Sequence, residues 1–99
     1  MVAKLYVDDQ RAAPSGWLLA RSADEAVSVL RQGEVTDMSL DFDLGDARRW
    51  TGVKVLDWLE WAVEQGKVKL PRLEAHSGSP VGRHRLEARI EQLARRFTP

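Results

Sequence analysis

Met38-Ser39-Leu40-Asp41-Phe42-Asp43-Leu44-Gly45 is the stretch on which the fold turns. Val35 to Leu44 reads as a strand, with Met38, Leu40, Phe42 and Leu44 on one face and Ser39, Asp41 and Asp43 on the other. Acids at the exit of a buried strand do not serve packing, because a desolvated carboxylate without a partner is costly. The same arrangement occurs earlier, in Lys4-Leu5-Tyr6-Val7-Asp8-Asp9, where a short strand over Lys4 to Val7 runs into two carboxylates. If the two strands are neighbours, their C-terminal ends converge on one acidic pocket suited to a divalent cation or a proton.

Working outward, the remaining elements alternate. Gln10 to Gly16 contains Pro14, Ser15 and Gly16 and reads as a loop. Trp17 to Arg21 is a second short apolar run, predicted as a strand. Ser22-Ala23-Asp24-Glu25 has the form of a capping box, and Ala23, Ala26, Val27 and Leu30 follow at helical spacing until Gly33. After the polar loop Gly45 to Trp50, Thr51 or Gly52 opens a second helix with Val55, Leu56, Leu59, Ala62 and Val63 inward. Trp58 and Trp61 widen its apolar stripe, and Gly66 ends it. Leu70 to Ala75, led by Pro71, is a fourth strand. Ser79-Pro80 starts a closing helix that carries Leu86, Ile90, Leu93 and Phe97 on one face. Strands alternating with helices predict a mostly parallel sheet with right-handed crossovers, in a single domain over residues 1–99.

Composition excludes several classes. The chain has no cysteine, so disulfides, thiolate nucleophiles and Cys-ligated zinc are ruled out. Two histidines at wide spacing make a poor zinc site. Fifteen basic residues balance fifteen acidic ones, so no overall charge draws the chain to nucleic acid or to anionic membrane. No apolar stretch has membrane-spanning length and no signal-peptide core is apparent, which makes a cytoplasmic protein the expectation. Arg83, Arg85, Arg89, Arg95 and Arg96, with His84, crowd the last quarter, as a solvated helix face or as an anion site.

In an open parallel sheet, sites form beyond the carboxyl ends of the strands. Three exits matter: Asp8-Asp9, Asp41-Phe42-Asp43 and His76-Ser77. Carboxylates there suit Mg²⁺, a hard cation that keeps several waters. Ser77 can donate to a phosphoryl oxygen. The closing helix offers the N–H groups of Val81, Gly82 and Arg83 to an anion; Gly82 permits close approach and Arg83 adds a planar fork. Blander roles remain open for each residue. Asp8 and Asp9 also suit a polar turn, Asp43 a loop cap, Ser77 a bond to its own backbone and Arg83 a surface cation. His76 is a metal ligand, a general base or a satisfied histidine packed beside the helix.

Tyr6-Val7-Asp8-Asp9, Leu40-Asp41 and Ser77 together resemble the response-regulator receiver domain. A closer likeness covers nearly the whole chain. Leu5-Tyr6-Val7-Asp8-Asp9-Gln10-Arg11, Ser39 to Gly45, Thr51-Gly52 and His76-Ser77-Gly78-Ser79-Pro80-Val81-Gly82-Arg83 are similar to the compact cyclic-phosphate processing receiver domains, a group linked by prediction to nucleic-acid ends and cyclic phosphates. The resemblance implies a three-layer, flavodoxin-like α/β fold, truncated to four mostly parallel strands in the order 2-1-3-4 with three helices. It implies that Asp8 and Asp9 help hold Mg²⁺, that Asp41 is the phosphoacceptor position and that Ser77 contacts the phosphoryl group. Two departures from a standard receiver stand out. The helix after the double Asp is replaced by the Gln10–Gly16 loop, and no fifth strand is expected to bring the receiver lysine. Neither Lys67 nor Lys69 lies at a comparable place, so Arg83 is the candidate to supply that charge.

Three functions compete on these grounds. The first is a receiver-like module that binds Mg²⁺ and a phosphoryl or cyclic-phosphate group, for signalling or for nucleotide or RNA-end processing. The second is a phosphoesterase in which Asp41 and His76 act on a cyclic phosphate beside the metal. The third is a non-catalytic domain with a degenerate site, whose tryptophan-bearing helix docks a protein partner. The first is preferred, because the chain lacks an evident activated nucleophile. Metal ligands are then expected among Asp8, Asp9, Asp41 and Asp43, phosphate contacts from Ser77, Gly82 and Arg83, and any chemistry from Asp41, His76 and Ser77.

Overall fold

A computed structural model of the chain describes residues 2–41, 52–76, 78 and 80–97. The elements alternate as β1 (Val2–Val7), β2 (Leu18–Ala20), α1 (Ala23–Gln32), β3 (Glu34–Leu40), α2 (Gly52–Glu64), β4 (Arg72–Ala75) and α3 (Pro80–Phe97). All pairings are parallel and the strand order is β2-β1-β3-β4. This is the predicted sheet with the predicted number of helices. Consecutive helices pack on each other, α1 on α2 and α2 on α3, so the described helices form one layer on one face of the sheet. The second helical layer of a three-layer fold is not found among the described residues. The reason is local. The connection from β1 to β2 is a loop, whereas the helix expected of a receiver there would cover the other face.

Leu5, Val7, Met38 and Leu40 face the helices and are fully buried against Val55, Leu56, Leu59, Leu86 and Leu93. On the opposite face the register sets Lys4 beside Asp37 and Tyr6 beside Ser39, with Arg72 and Glu74 on the next strand. That face is polar and partly open: Lys4, Arg72 and Glu74 are exposed. Ser39 is the exception, buried at 2% exposure on the polar face. A hydroxyl there needs a partner, and it finds one on His76.

The local signals act as expected. The Ser22 hydroxyl accepts from the Glu25 N–H at 3.1 Å, and the Glu25 carboxylate accepts from the Arg21 N–H at 2.8 Å, which closes the start of α1. Gly66 has φ +73°; its N–H donates to the Val63 carbonyl and that of Lys67 to the Ala62 carbonyl, the paired bonds that end a helix on a left-handed residue. The arginines of α3 divide. Arg89 pairs with Glu60 (2.6 Å) and Asp57 (3.2 Å), and Arg96 with Glu60 (2.8 Å) and Glu64 (3.1 Å), tying α3 to α2. The bonds from Arg89 and Arg96 also hold the Glu60 carboxyl below its ordinary range. Arg95 pairs with Glu91 on its own helix, while Arg83 and Arg85 are exposed.

Two strands are shorter than predicted: β2 is Leu18–Ala20 within Trp17 to Arg21, and β4 starts at Arg72 rather than Leu70. β3 is described over Glu34–Leu40, and the predicted continuation through Phe42 to Leu44 lies outside the described residues. The last β1 pair is Val7 with Leu40 and the last β4 pair is Ala75 with Leu40. Past these pairs, the Asp41 N–H donates to the Val7 carbonyl (3.0 Å) and the His76 N–H to the Leu40 carbonyl (2.9 Å).

Candidate functional site

Parallel strands with a 2-1-3-4 order bring the ends of β1, β3 and β4 side by side. Asp8 follows Val7, Asp41 follows Leu40 and His76 follows Ala75, so the three exits share one rim. Oxygens of Asp8, Asp9 and Asp41 lie within 4.8 Å of one another, with Asp8 and Asp41 buried and Asp9 half-buried.

Asp8 is the hub. Its side chain is fully buried, and the carboxylate receives four donors. Oδ1 accepts from the backbone N–H groups of Gln10 and Arg11, each at 2.9 Å, which turns the chain sharply out of β1. Oδ2 accepts from Arg11 Nη1 and from His76 Nε2, each at 3.0 Å. Burial alone would push the Asp8 carboxyl up. The backbone bonds from Arg11 and Gln10 and the side-chain bonds from Arg11 and His76 outweigh it and hold the group at about 2.

His76 is fixed on three sides. Its ring stacks on Tyr6, with centroids 4.2 Å apart and planes 6° from parallel. The ionised Asp8 can only accept, so Nε2 carries the proton; in the neutral ring Nδ1 then accepts from the Ser39 hydroxyl at 2.7 Å. Both ring nitrogens are therefore occupied. Tyr6 is held in turn edge-on by Trp17 (6.2 Å, 83°), and its hydroxyl is pushed above its ordinary range by burial and by the nearby Asp8 charge.

Among the described residues, the guanidinium that faces Asp41 is that of Arg11, while Arg83 is exposed on α3. Arg11 Nη1 is 3.0 Å from Asp8 Oδ2 and 3.7 Å from Asp41 Oδ2. Arg21 clips the loop behind it, donating to the carbonyls of Arg11 (2.9 Å) and Asp8 (3.4 Å). Gly78 makes room for the guanidinium: a Cβ at position 78 would stand 3.0 Å from Arg11 Nη2. Gly52 does the same for Asp41. A Cβ there would lie 2.4 Å from the Asp41 carbonyl oxygen and 3.1 Å from Leu86 Cδ2, so α2 can start against Asp41 only with glycine.

Of the predicted site residues, Asp8, Asp9, Asp41 and His76 are gathered at the rim. Gly82 and Arg83 sit in the first turn of α3, Gly82 buried and Arg83 exposed. Asp43 and Ser77 lie outside the described residues. Sequence reasoning missed Arg11, Ser39 and the roles of Gly52 and Gly78. An Asp-x-x-Arg spacing after a strand was the available signal for Arg11, since an aspartate that caps the next two amides returns the third residue to its own carboxylate.

The model of the cyclic-phosphate processing receiver domain matches residues 3–92, which includes every residue of the site just described. The chain belongs to this family. No significant match was found among curated proteins or among solved structures. As a receiver-type domain it has the acidic cluster in the expected place, at the C-terminal rim beside the start of α2. Three converging carboxylates form a donor set of hard oxygens that fits Mg²⁺. The fit is qualified by chemistry already present: one cation, Arg11, stands between Asp8 and Asp41. No described helix is long and apolar enough to cross a membrane.

Proposed function

We propose that this receiver domain binds a divalent cation, Mg²⁺, together with a phosphoryl or cyclic-phosphate group at the C-terminal rim of its sheet. The observation that carries this reading is the convergence of the Asp8, Asp9 and Asp41 carboxylates from two adjacent strands. Bound there, Mg²⁺ would neutralise charge on the phosphoryl oxygens. Asp8, Asp9 and Asp41 would hold it, with Asp43 and Ser77 as further candidates. Asp41 is the acceptor: its carboxylate oxygen attacks phosphorus, and the bond to the leaving oxygen breaks with its electron pair, giving an acyl phosphate. Before the metal binds, Arg11 supplies the positive charge nearest Asp41 among the described residues. Gly82 and Arg83 extend the anion-binding surface at the start of α3. His76 holds Asp8 and is itself held by Ser39 and Tyr6, which favours positioning over proton transfer.

Mg²⁺ titration followed by tryptophan fluorescence tests the metal, since Trp17 lies against Tyr6 next to the site. Acetyl phosphate with Mg²⁺ should label Asp41, and Asp41→Asn should abolish the label in a mass spectrum. Saturable Mg²⁺ binding without any label would reduce the reading to ligand binding. No Mg²⁺ response would reject it. Turnover of a 2′,3′-cyclic nucleotide would replace it with a phosphoesterase.

A further inference from the structure

The gap between Asp8 and Asp41 already holds a cation. We propose that Arg11 is a tethered counter-ion that exchanges with the divalent metal, so that metal enters the rim as the guanidinium swings out. This rests on the metal-binding reading above and adds what sets the affinity.

Four features carry it. Arg11 Nη1 lies 3.0 Å from Asp8 Oδ2 and 3.7 Å from Asp41 Oδ2, against two of the three carboxylates of the acidic cluster. Two like charges cannot share a gap of that size without a large repulsion. The root of the side chain is fixed, because the Arg11 N–H is bound to Asp8 Oδ1 and its carbonyl accepts from Arg21. The side chain is not enclosed: half of it is exposed, whereas Asp8 beside it is at 1%. A fixed backbone and a half-exposed side chain let the guanidinium leave without unfolding the loop. Gly78 lies on the guanidinium's flank: among the described residues, Arg11 Nη2 is what a Cβ there would meet.

The contact also has a protective logic. Without Arg11, three carboxylates within 4.8 Å would repel one another in the metal-free domain. The guanidinium offsets that repulsion, and any metal must displace it.

The test is isothermal calorimetry with MgCl₂ on the wild-type protein, Arg11→Ala, Arg11→Lys and Gly78→Val, with melting temperatures recorded alongside. Arg11→Ala should bind Mg²⁺ about tenfold or more tightly than wild type at low salt, from removal of one competing charge about 4 Å away. Arg11→Lys should stay near wild type. Gly78→Val, which keeps Arg11 and crowds its tip, should fall between. A merely structural arginine would lower the melting temperature of Arg11→Ala and would not tighten the metal. Wild type and Arg11→Ala binding Mg²⁺ equally, or Arg11→Ala binding it more weakly, would overturn the exchange and leave the metal site standing. Mg²⁺ binding by none of the four proteins would remove both.

Discussion

Asp8→Asn should destabilise the domain, and the amount follows from two opposing terms. Four donors converge on the Asp8 carboxylate, two from backbone amides and one each from Arg11 and His76. Against them stand burial and the neighbouring carboxylates of Asp9 and Asp41. The depression of the Asp8 carboxyl from 3.8 to about 2 says that the donors win. It corresponds to about 2 kcal/mol of stability at neutral pH. Asparagine keeps one acceptor but turns an amide toward two donors, so its cost is of that order, and a melting temperature lower by roughly 10–15 °C is expected for a domain of this size. The assay is urea unfolding of both proteins in EDTA at pH 7, 4 and 2.5. Because the folded carboxyl is depressed, its contribution is present above the unfolded value near 4 and is lost as pH falls through about 2. The difference between wild type and variant should therefore shrink across that window. An Asp8→Asn protein as stable as wild type at pH 7, or more stable, would refute the reasoning and show that carboxylate repulsion outweighs the donors.

Other substitutions should separate the members of the cluster. Asp41→Asn loses one long ion pair, 3.7 Å to Arg11, and relieves repulsion with Asp8 and Asp9; its unfolding free energy in EDTA should be unchanged or higher by up to about 1 kcal/mol. Gly52→Ala sets a methyl 2.4 Å from the Asp41 carbonyl, which backbone must yield to, so calorimetric unfolding should register a loss of about 1–3 kcal/mol. The same variant should label more slowly with acetyl phosphate, since the start of α2 and Asp41 move together.

Much of the fold was legible because it rests on short-range rules. The capping box at Ser22–Glu25 and the helix stop at Gly66 need only their own backbone. The faces of α2 and α3 follow from spacing, and Leu56, Leu59, Leu86 and Leu93 are buried as that spacing requires. The start of β4 was not legible. The apolar run begins at Leu70, but a strand lasts only as long as its neighbour pairs with it, and the pairing with β3 starts at Arg72 opposite Asp37. The face opposite the helices stays open because the connection after Asp8 is the loop that Pro14, Ser15 and Gly16 predict.

At the site, the chain order alone determined that acids stand at the ends of β1 and β3, since a hydrophobic run followed by aspartate is a local fact. It also determined that a histidine follows β4. Tertiary structure decided what surrounds them. The guanidinium between Asp8 and Asp41 is that of Arg11, and both nitrogens of His76 are bound, one to Asp8 from β1 and one to Ser39 on β3. Partner choice between groups as far apart in sequence as Asp8 and His76 is set by strand order and register, which bring side chains within 3 Å that no local pattern connects.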